Sequence, residues 1–285
     1  MTIAPRWLVV GAEGQLGAAL VRRLSDRAEV IALPRTRLDL TDHRAVMTEI
    51  ERHRPTVVLN GAAYTAVDRA EDEPVQALAV NAFAVQSLAR AAGEVGATLV
   101  HYSTDYVFDG HASTPYVETD QPRPQNVYGQ TKLIGEWLAA EAPRVYALRV
   151  ESLFGGPAAH SSIDKILSAL RSGQPARVFV DRVVTPAFVD DVVEATWTLV
   201  AGNARPGLYH VVNSGETTWH GLALEMARQL GVAPQLVPMR VEEAKLRAVR
   251  PRYCALSNAK LAAAGFAMPT WQDALARYLA HASAA

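Results

Sequence analysis

A glycine-rich turn between a short apolar run and a helical pattern constrains the fold of this chain most strongly. Gly11, Gly14 and Gly17 follow the apolar run Trp7–Val10. Glycines at such a turn permit a close approach of the backbone, and the N-terminus of the helix that follows attracts a pyrophosphate. The pattern therefore predicts a dinucleotide site at the carboxyl end of the first strand.

Short β-rich runs alternate with longer helical patterns as far as Val150, and beyond it the regularity weakens. This alternation predicts βαβ units and a mostly parallel sheet. The predicted fold class is α/β, a Rossmann-type doubly wound parallel sheet with a smaller α/β substrate lobe. Residues 1–151 are predicted to form the NAD(P)-binding domain, with 178–202 returning to it. Residues 152–177 and 203–285 are predicted to form the substrate lobe.

Two element predictions depend on local pattern alone. Pro74 to Ala92 is rich in alanine and is predicted to be one continuous helix, with Pro74 in its first turn. Leu208–Val212 is predicted to be a short strand of the smaller lobe. Because open parallel sheets bind ligands at the carboxyl ends of their strands, we expect the lobe to pack at that end.

The composition argues against several classes of function. The net charge of −1 and the scattered arginines give no electrostatic field for nucleic acid or an anionic membrane. No apolar run approaches the ~20 residues of a membrane-spanning helix, and Met1 to Arg6 does not resemble a signal peptide. The single cysteine, Cys254, rules out an internal disulfide and suits a reducing compartment. We therefore predict a soluble cytoplasmic protein.

The end of the second predicted strand bears on which form of the cofactor is bound. Arg35 and Arg37 follow this strand, where an acidic residue would otherwise bind the ribose 2′-hydroxyl of NADH. Arginines here can meet a 2′-phosphate, so NADPH is the predicted cofactor and NADH remains the alternative. Asp39, which precedes Leu40, is predicted to accept a hydrogen bond from the adenine amino group.

A second pattern supplies the groups that carbonyl reduction needs. Tyr128 and Lys132 are four residues apart, so on a helix they lie on the same side. Because an ammonium stabilises a phenolate, Lys132 is predicted to lower the pKa of Tyr128 from its ordinary value of about 10. Thr104, at the end of the preceding strand, is predicted to hydrogen-bond the substrate oxygen. These three residues are the predicted catalytic set, and Lys132 is also predicted to bind the ribose hydroxyls of the cofactor.

Segments along nearly the whole chain carry a resemblance to one enzyme family. They are residues 11–17, 60–68, 71–74, 102–110, 118–120, 126–132, 135–136, 207–210, 215–219 and 250–251. The run Tyr102 to Phe108 is the most specific of them. On these segments the chain is similar to extended short-chain dehydrogenase/reductases, and it most closely resembles the dTDP-4-dehydrorhamnose reductase family.

The resemblance implies a fold and an activity. It implies a Rossmann domain with a small substrate lobe, and NAD(P)H-dependent reduction of the C4 ketone of dTDP-4-dehydro-L-rhamnose to dTDP-L-rhamnose. It further implies that Thr104 and Asp105 touch the sugar and that Tyr128 donates the proton. The predicted cofactor-binding residues are Gly11, Gly14, Gln15, Leu16, Gly17, Arg35, Asp39, Leu40, Ala62, Ala63, Tyr64, Thr65, Tyr102, Tyr128 and Lys132.

One segment departs from the family pattern. After Arg149 the family has Thr-Ser-Trp-Val-Tyr, in which the Trp contacts the sugar nucleotide. Here the corresponding run is Val150 to Phe154, with Ser152 at the aromatic position and Glu151 before it. Glu151 and Ser152 are therefore predicted substrate-binding residues, and the identity of the sugar stays open.

Two alternatives remain open on the sequence. One is a reductase or an epimerase for a different nucleotide-linked deoxysugar. The other is a non-catalytic NADP(H)-binding regulatory subunit, as in the methionine adenosyltransferase β subunit, which belongs to a branch of the same family. The histidines show no metal-ligand spacing, so no metal site is predicted, and a homodimer is the assembly left open.

Overall fold

A sheet of six parallel strands forms the centre of the molecule. The computed structural model describes residues 5–156 and 161–282. In these ranges the strands are β1 Arg6–Val10, β2 Glu29–Leu33, β3 Val57–Asn60, β4 Thr98–Thr104, β5 Val145–Val150, β6 Leu153–Phe154, β7 Ala176–Phe179, β8 Val183–Val184, β9 Ala187–Phe188, β10 Gly207–His210, β11 Thr217–Thr218 and β12 Leu236–Met239. The order in the main sheet is β10-β5-β4-β3-β1-β2, with every neighbouring pair parallel.

Helices cover both faces of this sheet. They are α1 Gln15–Leu24, α2 His43–His53, α3 Val67–Ala70, α4 Pro74–Leu78, α5 Ala84–Val95, α6 Val127–Ala139, α7 Ser162–Arg171, α8 Val189–Ala201, α9 Trp219–Leu230, α10 Ala259–Ala263 and α11 Trp271–Ala282. In β1, Trp7 and Val9 pack in one cluster with α1 and α8. Leu8 and Val10 pack in another with α2 and α5. Strands of a parallel sheet that is buried on both faces have continuous apolar sequences, as β1 does. The predicted fold class is confirmed.

The strand order places a crevice at the carboxyl end of the sheet. From β1 the chain adds β2 on one side and then crosses to add β3 on the other. The loops that leave β1 and β3 therefore start side by side and diverge, which creates a switch point where α/β sheets bind ligands. A Cβ built on Gly11, after β1, would lie 2.7 Å from the backbone nitrogen of Ala62, after β3.

Two predicted elements differ in the structure. The strand predicted for the smaller lobe, Gly207–His210 here, pairs in parallel with β5 and forms the edge of the main sheet. The single helix predicted from Pro74 to Ala92 is interrupted by a π-helical segment, Ala79–Phe83, and continues to Val95. In this segment Asn81 is buried and its side-chain amide binds the backbone of Tyr64 and the hydroxyl of Thr131. The helical spacing of residues in the sequence does not reveal such long-range contacts.

A third hydrophobic cluster lies among the segments after β5. Phe154, Trp219 and Met226 belong to it, together with buried side chains of α7 and α11. Helix α8 instead packs its buried valines with α1, and Arg22 binds Asp190 at 2.6 Å across that contact. Among the helices of the described ranges, none combines the length and apolar character needed to cross a membrane.

Candidate active site

The glycine-rich turn is built for close backbone packing. Gly11 has φ +69°, a conformation that a side chain disfavours. A Cβ on Gly17 would lie 2.0 Å from the carbonyl oxygen of Gly11, so α1 can start directly against the turn only with glycine there. Helix α1 begins at Gln15 after the N-cap residue Gly14, which has no side chain to bind the first amides. These amide N–H groups are free to bind an anion.

Two adjoining clefts follow this turn. The inner cleft, of about 370 Å³, is lined by Gly11, Glu13, Gly14, Gln15, Leu16, Arg35, Asn60, Gly61, Ala62, Ala63, Thr65, Tyr102, Ser103, Tyr128, Lys132, Val150 and Leu153. The outer cleft, of about 480 Å³, is lined by Gly11, Arg35, Leu38, Asp39, Leu40, Ala62, Ala63, Tyr64, Thr65, Ala66, Arg69, Glu73, Gln76 and Val80. Their shared residues make one continuous groove. The structure thus brings together every predicted cofactor residue except Gly17, which packs beneath Gly11.

The outer cleft contains polar and charged groups that were not among the predicted cofactor-binding residues. Arg69, Glu73 and Gln76 line it from the segments around α3 and α4. Tyr64 donates a hydrogen bond to Glu73 at 2.7 Å. Their spacing is that of ordinary exposed helical residues, so the local pattern does not mark them as part of a binding site. Asp39 lines the cleft as well, with one carboxylate oxygen already accepting hydrogen bonds from the backbone and hydroxyl of Thr41.

Helix α6 holds Tyr128 and Lys132 against the sheet. Asn126 caps it by accepting a hydrogen bond from the Gly129 backbone at 2.7 Å. A Cβ on Gly129 would lie 2.2 Å from the carbonyl oxygen of Tyr106, and one on Gly135 would lie 2.1 Å from that of Asn81. The two glycines therefore let α6 lie close enough for its side chains to reach the inner cleft.

Lys132 and Tyr128 do not act on each other as the sequence suggested. The Nζ of Lys132 donates to the carbonyl oxygen of Tyr102 at 2.6 Å, and burial lowers the pKa of Lys132 to about 8. Burial raises the pKa of the Tyr128 phenol, while a hydrogen bond with Thr104 opposes that rise. The prediction that Lys132 lowers the pKa of Tyr128 is wrong for this structure, because desolvation dominates both groups.

Thr104 links Tyr128 to a buried carboxyl group. It ends β4 and donates a hydrogen bond to Asp105 Oδ1 at 2.9 Å. Its hydroxyl oxygen accepts from the Tyr106 backbone at 3.2 Å. The ring of Tyr106 meets the ring of Tyr128 edge-on, with 5.5 Å between centroids. The predicted catalytic residues Thr104 and Tyr128 are therefore neighbours, and the Thr104 hydroxyl lowers the pKa of the Tyr128 phenol against the effect of burial.

Behind Thr104 lies a group of four buried polar residues, here named the carboxyl cluster: Asp105, Glu151, Arg182 and Cys254. Asp105 Oδ2 lies 3.8 Å from Arg182 Nη2. Desolvation raises the pKa of Asp105, and it raises that of Glu151 further, with the Asp105 charge adding to the effect on Glu151. The two carboxyl groups and the thiol place one atom each within 4.8 Å, a set that can hold a metal ion. Arg182 already supplies the positive charge at this point.

Glu151 and Ser152, in the segment that departs from the family pattern, have different surroundings in the structure. Glu151 points into the carboxyl cluster, where its Oε2 accepts hydrogen bonds from the Thr185 backbone at 2.7 Å and hydroxyl at 2.5 Å. Ser152 has φ +44°, a left-handed conformation that a non-glycine residue rarely adopts. Neither side chain lines the inner or the outer cleft as the structure describes them. Their roles toward substrate stay predictions.

A third cavity, the lobe cavity, opens beside the carboxyl cluster. It has about 420 Å³ and is lined by Ser162, Lys165, Ile166, Ala169, Pro175, Ala176, Arg177, Val178, Phe179, Arg182 and Trp219. Arg182 belongs both to this lining and to the carboxyl cluster, and its guanidinium lies 5.2 Å from the centroid of the Tyr106 ring. Arg182 was not among the predicted site residues, because its partners Asp105 and Cys254 lie far away along the chain.

Comparison with known proteins decides the family. A family model described as the RmlD substrate binding domain matches residues 5–284. The chain belongs to this family. The RmlD-family chain is 41% identical over 282 residues to a dTDP-4-dehydrorhamnose reductase of Streptomyces griseus, a match that covers 95% of this chain and 92% of that protein.

Other relatives show the range of the RmlD family. A probable dTDP-4,6-dihydroxy-2-methyloxan-3-one 4-ketoreductase of Streptomyces antibioticus is 38% identical, with 95% of this chain and 93% of that protein covered. The crystal structure of the Bacillus anthracis dTDP-4-dehydrorhamnose reductase in complex with NADP superposes with a TM-score of 0.94 at 30% identity. That match covers 98% of this chain and all of the other. The resemblance found in the sequence is confirmed.

Proposed function

We propose that this RmlD-family protein reduces the C4 ketone of dTDP-4-dehydro-L-rhamnose with NADPH and releases dTDP-L-rhamnose. One observation carries the proposal. Tyr128 forms part of the wall of the groove that starts at the glycine-rich turn, and its phenol lies close enough to the Thr104 hydroxyl for that hydroxyl to affect its pKa. A proton donor beside a dinucleotide groove is what carbonyl reduction needs.

The groove fits a dinucleotide phosphate cofactor. Gly11 and Gly17 leave room for the pyrophosphate against the backbone, and the α1 amides can bind it. Arg35 is exposed and lines both clefts, which suits contact with a 2′-phosphate, whereas Arg37 lines neither. When bound, NADPH supplies the hydride. Lys132, whose Nζ lies at the Tyr102 carbonyl, is placed to bind the ribose hydroxyls.

The chain's own residues manage the proton and the orientation of the ketone. Thr104 positions the carbonyl oxygen by a hydrogen bond, and Tyr128 donates its phenolic proton to that oxygen as the charge develops. The raised pKa keeps Tyr128 protonated until then. The nucleotide of the substrate binds in the lobe cavity. There Lys165, Arg177 and Arg182 can meet the diphosphate, and Trp219 offers a ring surface to the base.

The proposal is tested by following the loss of NADPH absorbance with dTDP-4-dehydrorhamnose prepared in situ, with NADH in parallel. We expect turnover with NADPH and a weaker rate with NADH. Arg35→Ala should raise the KM for NADPH about tenfold, as expected for the loss of a charge-assisted hydrogen bond. The matched variant Arg37→Ala should leave it unchanged. No oxidation by protein that binds NADPH would overturn the proposed reaction and favour a regulatory subunit.

A second candidate substrate is favoured by one observation. The segment with Glu151 and Ser152 lacks the aromatic residue of the family pattern, and a 38% identical relative is named as a 4-ketoreductase for a different dTDP-linked sugar. The same assay with other dTDP-linked 4-keto sugars compares the kcat/KM values. An epimerase would instead retain its nicotinamide cofactor through purification, whereas a reductase exchanges it in each cycle.

A further inference from the structure

The carboxyl cluster holds two acids where one arginine can balance only one. Asp105 and Glu151 are 2% and 1% exposed, and each offers one carboxylate oxygen within 4.8 Å of an oxygen of the other. Asp105 Oδ2 and Glu151 Oε1 have no hydrogen-bond partner among the described residues. A buried carboxylate oxygen without a donor costs free energy, which a proton on one of the two acids would remove.

The charges around the two acids support one shared proton. Asp105, Arg182, Cys254 and Tyr253 act electrostatically on or with Glu151. Tyr106 and Tyr128 add to the environment of Asp105. Arg182 is the cation among these groups, so two ionised carboxylates would leave a buried net negative charge. With one proton on one of the two acids, the cluster is neutral, as for two acids that share a site.

This pair connects to the proposed proton donor. The Tyr128 phenol lies close enough to Thr104 for that hydroxyl to affect its pKa, and Thr104 donates to Asp105 Oδ1 at 2.9 Å. Asp105 and Glu151 offer carboxylate oxygens within 4.8 Å of each other. A row of polar groups therefore runs from Tyr128 through Thr104 to two buried acids. It ends at the Thr185 amide and hydroxyl, which hold Glu151 in place.

We propose that Asp105 and Glu151 store one proton and return it to Tyr128 through the Thr104 hydroxyl after each reduction. The inference rests on the proposed function. When Tyr128 gives its proton to the alkoxide, a phenolate remains. Thr104 then transfers its hydroxyl proton to the phenolate and takes the stored proton from Asp105. One O–H bond forms and one breaks at each step, and solvent restores the proton on the pair between turnovers.

The direction of transfer follows from acid strength. A carboxylic acid, even with a pKa raised by burial, remains a stronger acid than a buried phenol whose pKa is raised as well. The proton therefore moves downhill to the phenolate. Glu151 acts through Asp105 and Thr104 and does not itself contact the reacting atoms, so its contribution is to keep a proton available.

The test compares the first turnover with steady state. In Glu151→Gln, the amide keeps the shape and can still accept from Thr185 but stores no proton. With enzyme and NADPH in excess over the keto sugar, the first reduction uses the proton already on Tyr128 and should stay within about twofold of the native rate. Steady-state kcat should fall about tenfold, the low end for a lost proton-transfer group, with a larger solvent isotope effect.

Two further variants separate proton storage from structural damage. Glu151→Asp retains a carboxyl group and should recover most of the lost kcat. Tyr209→Phe, whose hydroxyl binds the Arg205 carbonyl and lies outside the cluster, should leave kcat and the isotope effect unchanged. Equal losses in the first turnover and in steady state, or a native kcat in Glu151→Gln, would overturn the inference. Absence of NADPH oxidation by the native protein would instead overturn the proposed function.

Discussion

At the scale of single residues, the half-buried phenol of Tyr128 lies beside the buried hydroxyl of Thr104. Tyr128→Phe removes the proton donor and leaves the ring in place, so we expect kcat to fall at least a hundredfold. The affinity for NADPH, measured by nicotinamide fluorescence, should change by less than about twofold. Tyr209→Phe is the matched control, since the Tyr209 hydroxyl binds the carbonyl of the nearby residue Arg205 and not a residue of the catalytic set. Native turnover in Tyr128→Phe would disprove this assignment.

Lys132 is predicted to make stability depend on pH. Its folded pKa of about 8 lies below its ordinary value, because burial disfavours the ammonium. Between these two values the unfolded chain binds more protons than the folded protein, so the free energy of unfolding rises with pH. Across this range the free energy of unfolding rises by up to about 3 kcal/mol. Below the folded pKa, Lys132 is protonated in both states and adds no further dependence on pH. Urea denaturation at pH values on either side of this range measures it.

The variant Lys132→Met isolates this effect. It carries no titratable group at this position. The free energy of unfolding of the variant minus that of the native protein should therefore fall as the pH rises. A difference that is constant with pH would contradict the lowered pKa. Activity is measured in parallel, since loss of the Nζ that lies at the Tyr102 carbonyl should also raise the KM for NADPH.

The residues of the groove were largely predictable, whereas the contacts that join the residues of the carboxyl cluster were not. Gly11 and the pair Tyr128 and Lys132 are marked by local spacing, because a tight turn and a helix face impose fixed intervals. Arg182 and Thr185 reach Asp105 and Glu151 only through the tertiary fold, and local patterns do not record such contacts. The protonation of buried groups depends on the whole surrounding volume, so the expected effect of Lys132 on Tyr128 was also out of reach.

At the scale of elements, the position of α6 depends on Gly135. An alanine there would bring a Cβ within 2.1 Å of the Asn81 carbonyl oxygen, which belongs to the backbone of the π-helical segment. We expect Gly135→Ala to lower the free energy of unfolding by about 1–3 kcal/mol, the usual range for overpacking. Because α6 holds Tyr128 and Lys132, kcat should fall as well. Gln130→Ala, on the exposed side of α6, should change neither quantity.

The same region shows the limit of pattern reading for elements. Strand β1 begins and ends within one residue of the apolar run Trp7–Val10, since burial on two faces imposes a clear apolar run. The π-helical segment was missed because its cause is the contact of Asn81 with the loop at Tyr64. Strand β10 was assigned to the lobe, because a short apolar run does not show which neighbour it pairs with.

At the scale of the whole molecule, the hydrophobic clusters lie beside different ligand cavities. Met226 packs in the cluster that includes Trp219, which lines the lobe cavity. Leu88 packs in the cluster beneath the main sheet with α2 and α5. Both side chains are fully buried, so removing either leaves a cavity in a close-packed interior.

The last prediction follows from this separation. Met226→Ala and Leu88→Ala should each lower the free energy of unfolding by about 2–5 kcal/mol, as measured by urea denaturation. Met226→Ala should also raise the KM for the sugar nucleotide and leave the Kd for NADPH unchanged, because loosening reaches the wall of the lobe cavity first. Leu88→Ala, of matched instability, should leave the KM for the sugar nucleotide near the native value. If both variants raised it equally, general destabilisation would explain the effect, and the lobe cavity would lose its assignment as the nucleotide site.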